Sequence, residues 1–144
     1  MPNLNIKSGE IKLTVNDDES RVIRFNPNDI AFAERFYGLI SDFEEKEQEY
    51  EKKAKELDED KEFNKYGIPK NTKEKLEFTR EVCNYIKTQI DKVFGAGTSK
   101  AAFGDACEID MFEQFFNGIT PFVNKARSEK VQKYAKQGKK GVMR

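Results

Sequence analysis

Three long segments of this chain repeat apolar residues every three or four positions, and Gly or Pro punctuates the gaps between them. That spacing puts the apolar side chains on one face of a helix. The first stripe is Ile30, Ala33, Phe36, Tyr37, Ile40 and Phe43. The second is Leu76, Thr79, Val82, Cys83, Ile86, Ile90, Val93 and Phe94, ending at Gly95. The third is Ile109, Met111, Phe112, Phe115, Phe116, Ile119, Phe122 and Val123. The sequence therefore predicts a mostly α chain. It adds one small β part, because Glu10-Ile11-Lys12-Leu13-Thr14-Val15 alternates polar and apolar residues and Arg21–Phe25 reads as the returning strand. Asn16–Ser20 is turn chemistry, which predicts a loop of about five residues. The expected fold is α+β: an N-terminal β-hairpin followed by three to four helices, the first long and charged.

Helix boundaries follow from local chemistry. Pro27 ends the second strand, and Asn28 is placed to cap the first helix with Asp29 in its first turn. From Phe36 the spacing becomes heptad-like through Ile40, Phe43, Tyr50, Ala54 and Leu57, broken only by Glu47. A helix from Asp29 to about Glu62 would be roughly 50 Å long, which leaves its second half to project or fray. Gly67-Ile68-Pro69 stops it. Asn71–Glu74 and Asp105–Glu108 have capping-box spacing and open the second and last helices. Gly95–Lys100 reads as a flexible loop and Ala101–Gly104 as a short helical turn. Pro121, just after Gly118, predicts a kink or break in the last helix. The 144 residues suit one domain, taken as 1–136, with 137–144 as a disordered basic tail.

Composition narrows function by exclusion. The chain has no His, which removes the usual nucleophilic triads and the commonest general base and metal ligand. Cys83 and Cys107 form no CxxC pair. They lie in apolar-periodic segments and read as buried free thiols rather than a bridge. Asp58-Glu59-Asp60 lacks the glycine and spacing of an EF-hand and reads as a solvated acidic face. Gly95–Lys100 lacks the order of a phosphate loop and follows a helix rather than a strand, so it reads as a helix C-cap and turn. The sequence thus predicts no enzyme, no catalytic residues, no metal and no cofactor. No apolar run reaches the roughly 20 residues that span a bilayer, and the N-terminus has no signal-peptide core, so no membrane partner is expected.

Two features remain for partners. Charged residues make up 36% of the chain against roughly a quarter in an average domain, and they are unevenly placed although the net charge is zero. Acids outnumber bases from Asp42 to Glu62, and bases dominate from Lys125 to Arg144. The basic tail has three readings: nucleic-acid contact, docking on an acidic partner, or solvation. Tyr134 is the one aromatic interleaved with its charge, which argues against nucleic acid. The acidic part of the first helix is a candidate docking surface within the molecule or on a neighbouring copy. The second feature is the 12 Phe, with no Trp. Adjacent Phe115 and Phe116 point about 100° apart on a helix, so one narrow face cannot bury both. Most of these rings read as core. A surplus is left as candidate partner-binding residues: Phe112, Phe115, Phe116 and Phe122, with Phe43, Tyr50 and Leu57 of the first helix.

Phe25-Asn26-Pro27-Asn28-Asp29-Ile30-Ala31-Phe32-Ala33-Glu34-Arg35-Phe36-Tyr37 resembles a mark of small proteins encoded among the tail genes of phages and prophages of Gram-positive bacteria. So do Val93–Ser99, Ala102-Phe103-Gly104-Asp105 and Met111–Phe116. The resemblance implies a tail assembly chaperone that binds the tape-measure protein in the bacterial host cytoplasm and is absent from the finished tail. A protein partner is therefore expected, and the chain is a candidate homo-oligomer whose successive copies would be linked by the hairpin or the extension of the first helix. The resemblance brings no catalytic residues. Two alternatives stand beside it: a structural virion subunit of the tail or connector, and a small regulatory or nucleic-acid-binding protein using the basic C-terminus.

Overall fold

The computed structural model describes the backbone of residues 1–142 and the side chains of residues 1–129 and 131–133. Two antiparallel strands, β1 (Ile11–Val15) and β2 (Asp18–Phe25), precede four helices: α1 (Ile30–Asp58), α2 (Thr72–Phe94), α3 (Thr98–Phe103) and α4 (Ile109–Val142). The fold is α+β with a small sheet and a dominant helical body.

The hairpin turns through Asn16 and Asp17 alone, both at left-handed φ (54° and 60°). Asn and Asp tolerate that region better than other non-Gly residues, so two residues suffice where the sequence suggested five. Asp18 already belongs to β2, and its Oδ1 accepts from the backbone N–H and the hydroxyl of Ser20 at 2.9 and 2.6 Å. The hydroxyl and amide of Ser20 hold that carboxyl below its ordinary pKa. Register slips between Thr14 and Val15, because Thr14 opposes Val22 whereas Val15 opposes Asp18. Within the slipped stretch Arg21 reaches α3, where Nε and Nη2 donate to the carbonyls of Ala101 and Ala102 at 2.8 and 2.9 Å. On the inner face Ile23 and Phe25 are buried and Ile11, Leu13 and Val15 half-buried, so the hairpin packs on the helices.

The Asn26 carbonyl takes the Asp29 N–H and its side chain takes the Asn28 N–H, each at 3.1 Å. Asn28 is thereby inside the turn. Asp29 is the N-cap of α1, one residue later than expected, and its carboxylate accepts from Ala31 N at 3.0 Å. Replacing Asp29 by Ala should cost about 1 kcal/mol, read as a lower urea midpoint at unchanged m-value.

The buried face of α1 is Phe32, Ala33, Phe36 and Leu39. Ile30 and Tyr37, placed on the inner stripe by the sequence reading, are 62% and 46% exposed. The helix ends at Asp58, four residues earlier than expected, and is about 43 Å long at ~1.5 Å per residue. Its second half does not stand alone. α2 returns antiparallel beside it, with Asn71 Nδ2 donating to the Leu57 carbonyl (2.7 Å) and Lys75 near Asp58 (3.4 Å). Further along, Lys53 meets Glu81 at 3.9 Å and Tyr50 meets Phe78. This use of Asn71 explains why it forms no side-chain cap on α2, contrary to the capping-box reading.

Gly95–Lys100 is not a free loop. Gly95 caps α2 at φ 117°, and Thr98 opens α3 with Thr98 and Ser99 buried. The Asp91 carboxylate accepts from Ser99 N–H (2.8 Å) and Ser99 Oγ (3.0 Å). A carboxylate of the chain itself therefore sits where a phosphate would bind at the start of a helix. Asp105 does not cap α4, which begins at Ile109. It pairs with Lys100 at 2.6 Å, and that hydrogen bond holds its carboxyl below the ordinary value.

α4 passes Pro121 without a break. Thr120 Oγ1 donates to the Phe116 carbonyl at 2.7 Å in the turn just before it. Backbone helix also continues to Val142, past the Gln137 at which the sequence reading began a disordered tail; residues 143–144 lie outside the described residues.

One core joins all six elements. Phe94 is its hub, with its ring 5.8 Å from Phe25, 5.3 Å from Phe32, 6.2 Å from Phe36 and 5.2 Å from Phe115, all edge-on. Edge-to-face pairs of this kind add about 0.5–1.5 kcal/mol beyond area burial. Cys83 and Cys107 are joined by a disulfide, with Cα atoms 5.9 Å apart, and are not the free thiols expected. The short α3 turns the chain back so that Cys107, two residues before α4, meets the middle of α2, a closure that sequence spacing does not reveal.

Candidate partner-binding groove

Three helices leave a gap that the core does not fill. α1 and α2 form an antiparallel arm, and the first turns of α4 lean against one side of it. Between them lies an apolar groove of about 780 Å³. Its floor is Ile40, Phe43, Tyr50 and Ala54 of α1, Phe78, Val82 and Ile86 of α2, and Ile109, Phe112 and Phe116 of α4. Glu47, Glu51 and Glu113 stand on the rim with Lys46. Lys46 is already engaged by Glu49 at 3.3 Å and lies 5.3 Å over the Tyr85 ring, and Glu49 holds its ammonium pKa above the ordinary value. The rim is thus acidic in effect.

Four of the seven candidate residues meet here. Phe43 and Phe116 pack edge-on at 5.2 Å. Tyr50 sits between Phe78 and Tyr85, at 5.9 and 6.3 Å. Burial pushes the Tyr50 phenol above its ordinary pKa. Phe112 is buried at one end of the groove, against Phe103 at 4.8 Å.

The other three lie elsewhere. Phe115 turns into the core between Phe94 and Phe103, which is the divergence from Phe116 that helix geometry requires. Phe122 is 37% exposed and leans on Phe25 at 6.0 Å. Leu57 is at the far end of the arm. Sequence reasoning missed the α2 wall, Phe78 and Ile86, because nothing local says that α2 folds back along α1. It also missed the arm's tip, where Phe63, Tyr66 and Ile68 are exposed. Periodicity was the available signal for Ile86, which lies on the predicted α2 stripe.

Part of the basic C-terminal segment is structural. Arg127 Nη2 donates to the buried Pro27 carbonyl at 2.9 Å, and Asn124 accepts from the Tyr37 hydroxyl at 3.1 Å. Among the described residues, no group of three or more His, Cys, Asp or Glu side chains is placed to hold a metal, and no helix is long and apolar enough to cross a membrane. What the groove offers chemically is apolar area with acidic edges, which suits binding.

The chain belongs to a family of unknown function, DUF6673, whose model matches residues 18–142. The match takes in β2 and every helix. No curated protein and no solved structure matches the chain.

Proposed function

We propose that this protein is a non-enzymatic phage tail assembly chaperone, which covers an apolar helical segment of the tape-measure protein in the host cytoplasm. The observation that carries the binding half of this reading is the groove between α1, α2 and α4, with Phe43, Tyr50 and Phe116 along it. Helix-in-groove recognition needs an apolar trough of this kind with polar edges. The tail half rests on the resemblance of Phe25–Tyr37, Val93–Ser99 and Met111–Phe116 to small tail-gene proteins.

Co-expression with the tape-measure protein encoded nearby tests it. The expected result is a soluble complex that co-purifies. Truncating a groove aromatic, Phe43→Ala or Tyr50→Ala, should weaken that complex by about 2 kcal/mol, roughly 30-fold. An unchanged solubility of the tape-measure protein and no complex would sink the reading. Recovery of the protein in purified particles would favour a structural virion subunit instead.

A further inference from the structure

Helix geometry segregates the charge of this chain. Between residues 42 and 51, α1 carries Asp42, Glu44, Glu45, Glu47, Glu49 and Glu51 against Lys46 alone. Beyond Arg127, the sequence of α4 carries Lys130, Lys133, Lys136, Lys139 and Lys140 against Glu129. Along the described backbone the two runs lie at different ends of the molecule. α4 lies antiparallel to α1: its Phe116 packs on Phe43, its Asn124 on Tyr37, and its Arg127 on Pro27. At Arg127 it has therefore passed the start of α1. The remaining 15 or so residues of helix continue for about 22 Å, away from the acidic middle of α1. An uninterrupted helix cannot turn back to it. Among the described residues, no ion pair involves α4.

We infer that the groove of one copy receives the basic α4 extension of a second copy. This rests on reading the groove as a helix acceptor, and it adds a control on that site: without its client, the groove is filled by a neighbour. The two surfaces match in kind. Val131 is 68% exposed on the extension, and the sequence spaces Val131, Tyr134 and Ala135 as one helical stripe among lysines. The groove offers Ile40, Phe43 and Phe116 below a rim of Glu47, Glu51 and Glu113. Apolar residues meet the floor while lysines meet the rim carboxylates. Because acceptor and donor are different patches at opposite ends of α1, the contact is heterologous and joins copies head to tail.

Light scattering on the purified chain, with and without a charge swap, decides this. At low salt the mass should rise with concentration above the 16.7 kDa of one chain. It should fall back to that value in 1 M salt, where the screening length drops to about 3 Å. The pair Glu47→Lys with Glu51→Lys, and the pair Lys133→Glu with Lys136→Glu, should each be monomeric alone. Mixed, they should assemble again, since each then supplies the complement of the other's altered surface. Should a charge-reversed chain not fold by circular dichroism, the Gln variants at the same positions replace it. They are then expected to weaken assembly at least tenfold. Wild-type protein that is monomeric at low salt overturns the inference, as does a mixture that stays monomeric. Duplex DNA bound by monomeric wild type also overturns it and gives the extension to nucleic acid. A tape-measure segment bound by monomeric wild type sinks this inference and leaves the chaperone reading standing. Assembly without any tape-measure binding does the reverse.

Discussion

Phe36→Ala should lower stability by about 3–5 kcal/mol, the range for removing a buried aromatic ring and leaving its cavity. Phe36 is 1% exposed and is held on three sides by rings: Phe32 at 6.0 Å, Tyr37 at 5.7 Å and Phe94 at 6.2 Å. These neighbours come from α1 itself and from α2. Phe94 is also tied to β2 and α4 through Phe25 and Phe115, so it cannot relax into the hole without loosening both. The cost should fall toward the top of the range. Against a total stability of roughly 5–15 kcal/mol, such a loss leaves little reserve. Thermal unfolding should show a midpoint lowered by on the order of 10 °C. Phe63→Ala is the matching control. Phe63 is 58% exposed at the tip of the arm, and its removal should stay within about 0.5 kcal/mol. Equal effects from the two substitutions would show that the ring cluster is not the core.

Phe36 also marks where sequence reading succeeds and where it stops. A period of three to four was enough to place α1, α2 and α4, and a period of two was enough for the hairpin. The inner face of α1 was legible in part. The predicted stripe held Ala33 and Phe36, which are buried, but also Ile30 and Tyr37, which are exposed, and it left out Phe32 and Leu39. Phe32 is drawn in by Phe94 and Phe25, which come from distant parts of the chain. Side-chain capping failed for the same reason. Asn71 and Asp105 have the right local spacing, but each is taken by a partner outside its helix, the Leu57 carbonyl and Lys100. Pro121 argued for a break that the helix does not show. Of the groove, the α1 and α4 walls were legible as a surplus of aromatics, because they exceed what one helix face can bury. The α2 wall was not, since it depends on the arm closing.

The second large effect concerns the Cys83–Cys107 disulfide. It closes a loop spanning 24 positions, which holds the end of α2, all of α3 and the approach to α4. Chain-entropy reasoning for a loop of that length gives about 3.5 kcal/mol of stabilisation relative to the reduced protein. Adding a non-thiol reductant should therefore lower the urea midpoint markedly, and a Cys83→Ala, Cys107→Ala double variant should lose all sensitivity to it. Identical midpoints for wild type in both conditions would show that the bond contributes nothing. Reduction should not unfold the chain outright. Arg21 still holds the carbonyls of Ala101 and Ala102, and Asp91 still holds Ser99, so α3 keeps two ties to the body. Cys83, fully buried, remains a small apolar group as a free thiol. The element left less constrained is the start of α4. Cys107 lies two residues before Ile109 and five before Phe112, both of which line the groove. On the proposed chaperone reading, the protein would work in a host cytoplasm, where thiols are kept reduced. Client binding measured with and without reductant should thus differ, with the weaker binding under reduction, because the α4 wall then has to be ordered at the moment of binding.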